Sequence, residues 1–268
     1  MFTPYLDHPR DRLVNFIAIE PMTADSPRRG YSELEPSALD EGANGKRFWS
    51  VDAPHDSSPR DPLVPARGVV EHVDGVECLT VWIGVERFEN GANVRVRLRF
   101  RADRSHEVEL SGFTAGGSAP LRSLILTATM GNWARLRRLH LADRVVTTSQ
   151  LWPDHSGTGF TQHGRFPLAE LERDGHAAIV RATGDETDPT SVEYAEDTAA
   201  HWRFLGRRAE QAWRVDDPHP DLEALVNARW SYWASASPIP GGPAFENFEI
   251  VEPFRQGASY RFTVEPID

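Results

Sequence analysis

Two distant stretches concentrate side chains able to do chemistry. RRGYSELEPS, residues 28–37, brings Arg29, Tyr31, Glu33 and Glu35 together. WSYWASASPIPGGPAFENFEIVEP, residues 230–253, carries Trp230, Tyr232, Trp233, Glu246 and Glu249. In an extended segment alternate residues share a face. Tyr31, Glu33 and Glu35 then face one way, and Ser32 and Leu34 the other. If Leu34 is buried, both carboxylates point outward, and into a cleft if that face lines one. In FENFEIVE, Phe245 alternates against Glu246, but Phe248 shares the face of Glu246. The pattern is irregular, so one of Glu246 and Glu249 is expected to point inward. Glycoside hydrolysis needs two carboxylates, about 5 Å apart for retention and farther apart for inversion. Glu33 or Glu35 with Glu246 would supply such a pair if the two stretches meet.

A second chemistry rests on histidine. GFTQHGRF sets His163 beside Gln162 and Arg165, and WPDHSGTG sets His155 after Trp152 and Asp154. Glycine-rich loops that carry His suit the rim of an active site. β-Elimination on a uronic acid needs a cation or amide to neutralise the ring carboxylate. It needs a His or Tyr to take the adjacent C–H proton, and a Tyr or water to protonate the leaving oxygen. Arg29, Tyr31, Gln162 and His163 are the right types. There are eight tryptophans. Trp49 follows Lys46 and Arg47, Trp152 precedes a proline turn, and Trp230 and Trp233 flank Tyr232. Indole faces stack on the C–H faces of sugars, while Arg and carboxylates hold hydroxyls. The alternative for each Trp is core filling; at least two are expected to line a cleft.

Other chemistries find no support. The chain has no GxGxxG, GxxxxGK[ST], HExxH, CxxC or GxSxG, so no nucleotide, cofactor or metal site is expected. Asp185, Glu186 and Asp188 in TGDETDPTS read as a solvated turn rather than a calcium loop. The net charge of -11 disfavours a general nucleic-acid surface, which needs clustered cations. Lys46 is the only lysine. Arginine is the better residue for planar carboxylates, although an arginine bias also follows from a GC-rich genome. The lone Cys78 excludes an internal disulfide and a multi-cysteine zinc site, and reads as a buried strand residue. No apolar run approaches the roughly 18 residues that a membrane span needs. The N-terminal stretch lacks the basic start and apolar run of a secretory signal, so a cytoplasmic location is expected.

The positioning elements read mostly as strands. LVNFIAIE, residues 13–20, is a first strand ended by Pro21. Residues 22–66 are irregular, with one β-like piece, KRFWSV. Between 67 and 113 the period is two. Val94, Val96, Leu98 and Phe100 face one way, and Arg95, Arg97, Arg99 and Arg101 the other. That arginine row reads as a solvated sheet face pairing with Glu107 and Glu109 rather than as a polyanion stripe. ENGAN supplies the turn before it. FPLAELERDG, residues 166–175, predicts a short helix ending at Gly175. LVNARWSYWASAS, AFENFEIVE and SYRFTVEP predict late strands. The expected architecture is all-β: one domain over 1–268, an antiparallel β-sandwich or jelly roll with a few short helices.

The RxxSEL part of RRGYSELEPS (Arg28 or Arg29, Ser32, Glu33, Leu34), with Gln162 and His163, resembles jelly-roll alginate-lyase-type polysaccharide lyases. In those, an RSEL-like strand and a Gln-x-His motif face a common groove. The resemblance implies elimination chemistry on a glycan. Here Gly30 and Tyr31 intervene, and Gln162 and His163 are adjacent, which on a regular strand puts them on opposite faces. The family's closing Tyr/Lys-rich motif has no clean match in SYRFTVEP. The β-rich profile also resembles galactose-mutarotase-like sandwiches. The expected function is therefore a carbohydrate-active enzyme that cleaves glycosidic bonds in an oligo- or polysaccharide. Hydrolysis by a glutamate pair comes first, because carboxylates dominate both stretches and an acidic chain suits a neutral glycan. The alternatives are a polysaccharide lyase, a non-catalytic sugar-binding protein and a purely structural β-protein. The expected partner is a carbohydrate, with no nucleic acid and no membrane; the oligomeric state stays open.

Overall fold

The computed structural model describes residues 16–33, 48–52, 66–129, 135–185, 209–231 and 236–267. Over these residues the chain is nearly all antiparallel β, and two large sheets pack together as a β-sandwich. The helical pieces among the described residues are α1 (Thr148–Leu151) and a 3-10 turn over Leu168–Glu170. No helix among them is long and apolar enough to cross a membrane. The chain forms two compact units. One holds Phe16–Thr127 with Val251–Phe262, and the other holds Ala128–Ile250 with the segment that begins at Thr263.

The Phe16–Thr127 unit contains β1 (Phe16–Thr23), β2 (Ser32–Glu33), β3 (Phe48–Val51), β4 (Val69–Val73), β5 (Val76–Val85), β6 (Val94–Arg101) and β7 (Glu107–Thr114). The start of β8 (Leu121–Thr129) also lies in it. The long irregular segment expected over 22–66 thus contains β2 and β3. Strand β1 does not stop at Pro21. Proline lacks a donor but keeps its acceptor: the Pro21 carbonyl takes the Gly30 N–H at 2.9 Å and the Asn90 Nδ2 at 2.8 Å. The strand therefore continues to Thr23.

The period-two reading of β6 is realised in burial over its first half, while Leu98 and Phe100 are half-buried like the arginines. Val94 and Val96 are fully buried. On the opposite face Arg97 reaches Glu109 at 2.9 Å, and Arg99 reaches Glu109 and Glu71, both at 3.2 Å. Glu107 does not pair with this row as expected; it is taken by Arg104 and Arg261 at 3.1 and 3.3 Å. The arginine row is an ion-pair lattice, with the Arg97 guanidinium also 5.9 Å from the centre of the Phe113 ring. Cys78, in β5, is fully buried.

The Ala128–Ile250 unit contains β9 (Leu136–His140), β10 (Val145–Thr147), β11 (Gly164–Pro167), β12 (Glu172–Asp174), β13 (Ala177–Gly184), β14 (Ala209–Val215) and β15 (Glu223–Arg229). Most of β16 (Ala244–Val251) and the end of β17 (Ser259–Pro266) complete it. The helix expected over 166–175 is absent. Phe166 belongs to β11, Leu168–Glu170 is the 3-10 turn, and β12 folds back onto β13 across Gly175, whose φ is +60°. Leu168 and Leu171, three residues apart, mimic a helical stripe, but Leu168 belongs to the 3-10 turn and Leu171 bridges Leu141. Gly175 adopts a left-handed conformation that costs little without a Cβ, and here it closes a hairpin rather than a helix. Trp213, Phe245 and Phe248 form the large buried side chains, and Trp213 donates Nε1 to the Phe248 carbonyl at 3.1 Å.

Candidate active site

Strand β11 pairs antiparallel with β15 from Pro167↔Glu223 to Gly164↔Val226. Farther along, Phe160 bridges Arg229. The Thr161 N–H donates to the Ala228 carbonyl at 2.9 Å, and the Ala228 N–H is taken by Thr161 Oγ1, also at 2.9 Å. Between these two pairings, one strand has Gln162 and His163 and the other has only Asn227. Two residues against one is a β-bulge, a device that re-aims side chains. Adjacency therefore does not put Gln162 and His163 on opposite faces, as a regular strand would. Both are set against Asn227, and both are exposed.

The bulge delivers His163 to a buried carboxylate. His163 Nε2 lies 2.9 Å from Glu249 Oε1 and 3.3 Å from Asn227 Nδ2. Asn227 Oδ1 accepts the Asn247 N–H at 3.3 Å, which turns its amide nitrogen to the ring. The His163 side chain is 35% exposed and that of Glu249 only 5%. An ionised carboxylate can only accept, so Nε2 must carry the hydrogen that Glu249 receives. The Asn227 amide favours the other tautomer. The shorter, charge-assisted contact is the stronger of the two. The lone pair then sits on Nδ1, which bonds to none of the described residues. A histidine oriented by a buried carboxylate, with its second nitrogen open, can take a proton while the carboxylate stabilises the imidazolium.

The surroundings add cations and an aromatic plane. Arg165, two residues from His163, is held by Glu223, with Nε 3.0 Å from Oε1. Arg229, two residues from Asn227, places its guanidinium carbon 5.1 Å from the centre of the Phe160 ring. Phe160 is 52% exposed.

Of the other residues singled out in the sequence, Trp152 lies near the site, 3.6 Å from where a Cβ on Gly164 would sit. Glu246 and Glu249 are both buried, at 5% and 4%, where only one was expected inward; it is Glu249 that meets the histidine. Arg29 Nη1 pairs with Glu20 Oε2 at 2.8 Å, and Thr127 Oγ1 donates to Glu20 Oε1 at 2.8 Å. Arg29 thus neutralises a buried carboxylate. The next residue, Gly30, lies under the Phe88 ring, where a Cβ would come 2.4 Å from Phe88 Cδ1. Tyr31 is half-buried beside β2, and Glu33 pairs with Ala18 of β1. Trp49 lies over Gly84, where a Cβ would come 2.6 Å from its Nε1. Trp152 packs edge-on to Phe245, with centroids 5.9 Å apart. His155 Nε2 lies 3.2 Å from the Gly159 carbonyl oxygen. Trp230 is half-buried, and its carbonyl accepts the Ile239 N–H at 2.8 Å. Asp185 pairs with Arg137 at 2.6 Å. Glu35, Lys46, Arg47, Glu186, Asp188, Tyr232, Trp233 and the Glu33 side chain lie outside the described residues.

Sequence reasoning did not single out Asn227, Arg229 or Phe160. Glu249 was visible only as one of two glutamates in a strand that also holds Asn247, with nothing local to say which of them meets a histidine. Among the described residues, no group of three or more His, Cys, Asp and Glu side chains is placed to hold a metal ion. Comparison with protein-family models and with curated proteins finds no match to this chain.

Proposed function

We propose that the chain is a carbohydrate-active enzyme that breaks a glycosidic bond by β-elimination, with His163 as the proton-transferring group. The contact between His163 and buried Glu249, which leaves Nδ1 open, carries this reading. Nδ1 takes the proton from the carbon next to the sugar carboxylate. The released electron pair forms the ring double bond, the bond to the glycosidic oxygen breaks, and that oxygen is protonated by the imidazolium or by water. Glu249 holds the ring and stabilises its charged form. Elimination moves ahead of hydrolysis because Glu249, the carboxylate placed at this site, is engaged by the histidine. The exposed Phe160 ring supports a sugar substrate, since it offers an apolar plane to a C–H face.

The test is a product screen on neutral and uronate-containing glycans, following reducing ends and the ultraviolet absorbance of a conjugated double bond together. Both signals, lost in His163→Ala, are the expected result. Reducing ends without absorbance would return the assignment to hydrolysis and to Glu246. Silence on every glycan would overturn the carbohydrate reading.

A further inference from the structure

We infer that Arg229 selects the substrate, binding a carboxylate on the sugar held at His163, so that the ligand class is an anionic, uronate-containing glycan. The inference rests on the reading of His163 as the reacting group only in where it places the sugar; the carboxylate preference is a separate property of Arg229.

The argument starts from charge pairing. Within this unit Arg137, Arg144, Arg165, Arg181 and Arg214 each have an acidic partner. Among the described residues Arg138, Arg173 and Arg229 lack one, but Arg138 and Arg173 are exposed, whereas Arg229 is half-buried. Among the described residues its side chain makes one hydrogen bond, from Nη2 to the Thr158 carbonyl at 3.3 Å, and no ion pair. Its Nε is buried with no hydrogen-bond partner among them. A half-buried guanidinium without a counter-ion is costly, and in a chain of net charge -11 a spare acidic partner would have been easy to supply. Arginine presents a planar fork that matches a carboxylate in a two-point contact.

Geometry places that fork usefully. Asn227 and Arg229 are two residues apart on one strand, so they share a face at a spacing of roughly 7 Å. Asn227 touches His163, and Arg229 lies across from Phe160. Among the exposed large apolar side chains of the described residues, Phe160 is the one aromatic. A sugar ring lying against Phe160, with its carboxylate on Arg229, sits one strand step from His163. Arg165 flanks the histidine on the other side, but its charge is already taken by Glu223. Arg229 is therefore the specificity-determining cation.

The test measures binding by calorimetry in the His163→Ala background, so that nothing is turned over. The probes are tetrasaccharides of mannuronate, galacturonate and glucuronate, each beside its carboxyl-reduced counterpart. The expected result is a preference of roughly ten- to hundredfold for at least one uronate over its reduced form, abolished by Arg229→Gln. Arg229→Lys, which keeps the charge but not the fork, should retain part of it, and its circular dichroism should match the parent. No preference in the parent, no binding of any probe, or a preference that survives Arg229→Gln would overturn the inference. The two readings fail separately. A preference lost in Arg229→Gln, without any unsaturated product from the wild-type chain, keeps the Arg229 assignment and removes elimination. Unsaturated product with a preference indifferent to residue 229 does the reverse.

Discussion

Replacing Glu249 by glutamine isolates the role of the buried carboxylate. The side chain keeps its shape, and its carbonyl oxygen can still accept from His163 Nε2, so folding stability should fall by only about 1–2 kcal/mol. The negative charge is lost, however, and with it the stabilisation of the imidazolium and the bias towards the Nε2–H tautomer. Asn227, 3.3 Å away on the same nitrogen, then competes for the ring and favours hydrogen on Nδ1, where it blocks proton abstraction. Oriented acid–base catalysis contributes about 10²–10⁴-fold, so kcat should fall by that order. KM should barely move, because Glu249 is only 4% exposed and does not reach substrate. The assay is initial rates from double-bond absorbance, beside ¹⁵N chemical shifts of the His163 ring nitrogens. A kcat within a few-fold of wild type, when His163→Ala has none, would refute the orienting role. So would a wild-type ring with hydrogen on Nδ1.

Three further perturbations test the fold. Arg137→Ala removes a nearly buried guanidinium that binds Asp185 at 2.6 Å, the Pro243 and Gly242 carbonyls at 3.3 Å, and the Pro240 carbonyl. The expected loss by urea denaturation is about 3–5 kcal/mol, with little rescue by lysine, which lacks the fork; a loss under about 1 kcal/mol would contradict the account. Gly30→Ala should cost about 1–3 kcal/mol by overpacking against Phe88, while Gly116→Ala, with no atom within 4 Å of its new Cβ, serves as the neutral control; equal effects would refute the packing argument. Burial, with the Arg181 guanidinium next in effect, holds His140 below the usual histidine range. The folded state thus prefers the neutral ring and the unfolded chain protonates first. This contribution is complete above about pH 6.5 and is lost as pH falls from there towards the folded value. His140→Gln should flatten that part of the stability profile, and an unchanged slope would exclude the residue.

The sheets were legible because burial on one face imposes a period of two. The valines and arginines of β6 alternate, and Glu109 could be named as a partner from the same rule, whereas Glu107, named with it, pairs with Arg104 and Arg261 instead. The false helix at 166–175 shows the limit. Leu168 and Leu171 have the three-residue spacing that a helix would also produce, and three-residue strands such as β12 are too short to display alternation. At the site, His163 was visible by type and by its glycine-flanked loop. Its partner lies 86 residues away, and no local pattern specifies that contact. The bulge was hidden for a similar reason: an extra residue is defined only against the opposing strand. Arg29 has a type that suits a substrate carboxylate as well as an internal one, and its pairing with Glu20 could not be read from the sequence. The Glu20 carboxylate that claims it is buried by strand packing.

The Phe16–Thr127 unit is completed by residues 251–262, and this has a consequence for biosynthesis. Arg261 reaches back 154 positions to Glu107, and Gln256 accepts a hydrogen bond from the Thr114 backbone N–H across 142. As the chain leaves the ribosome at 5–20 residues per second, this unit waits roughly 7–30 s for its last segment. Until then it holds unpaired strand edge, the kind of surface that recruits other chains. Translation speed and chaperone supply should therefore affect how much of this protein reaches its folded state.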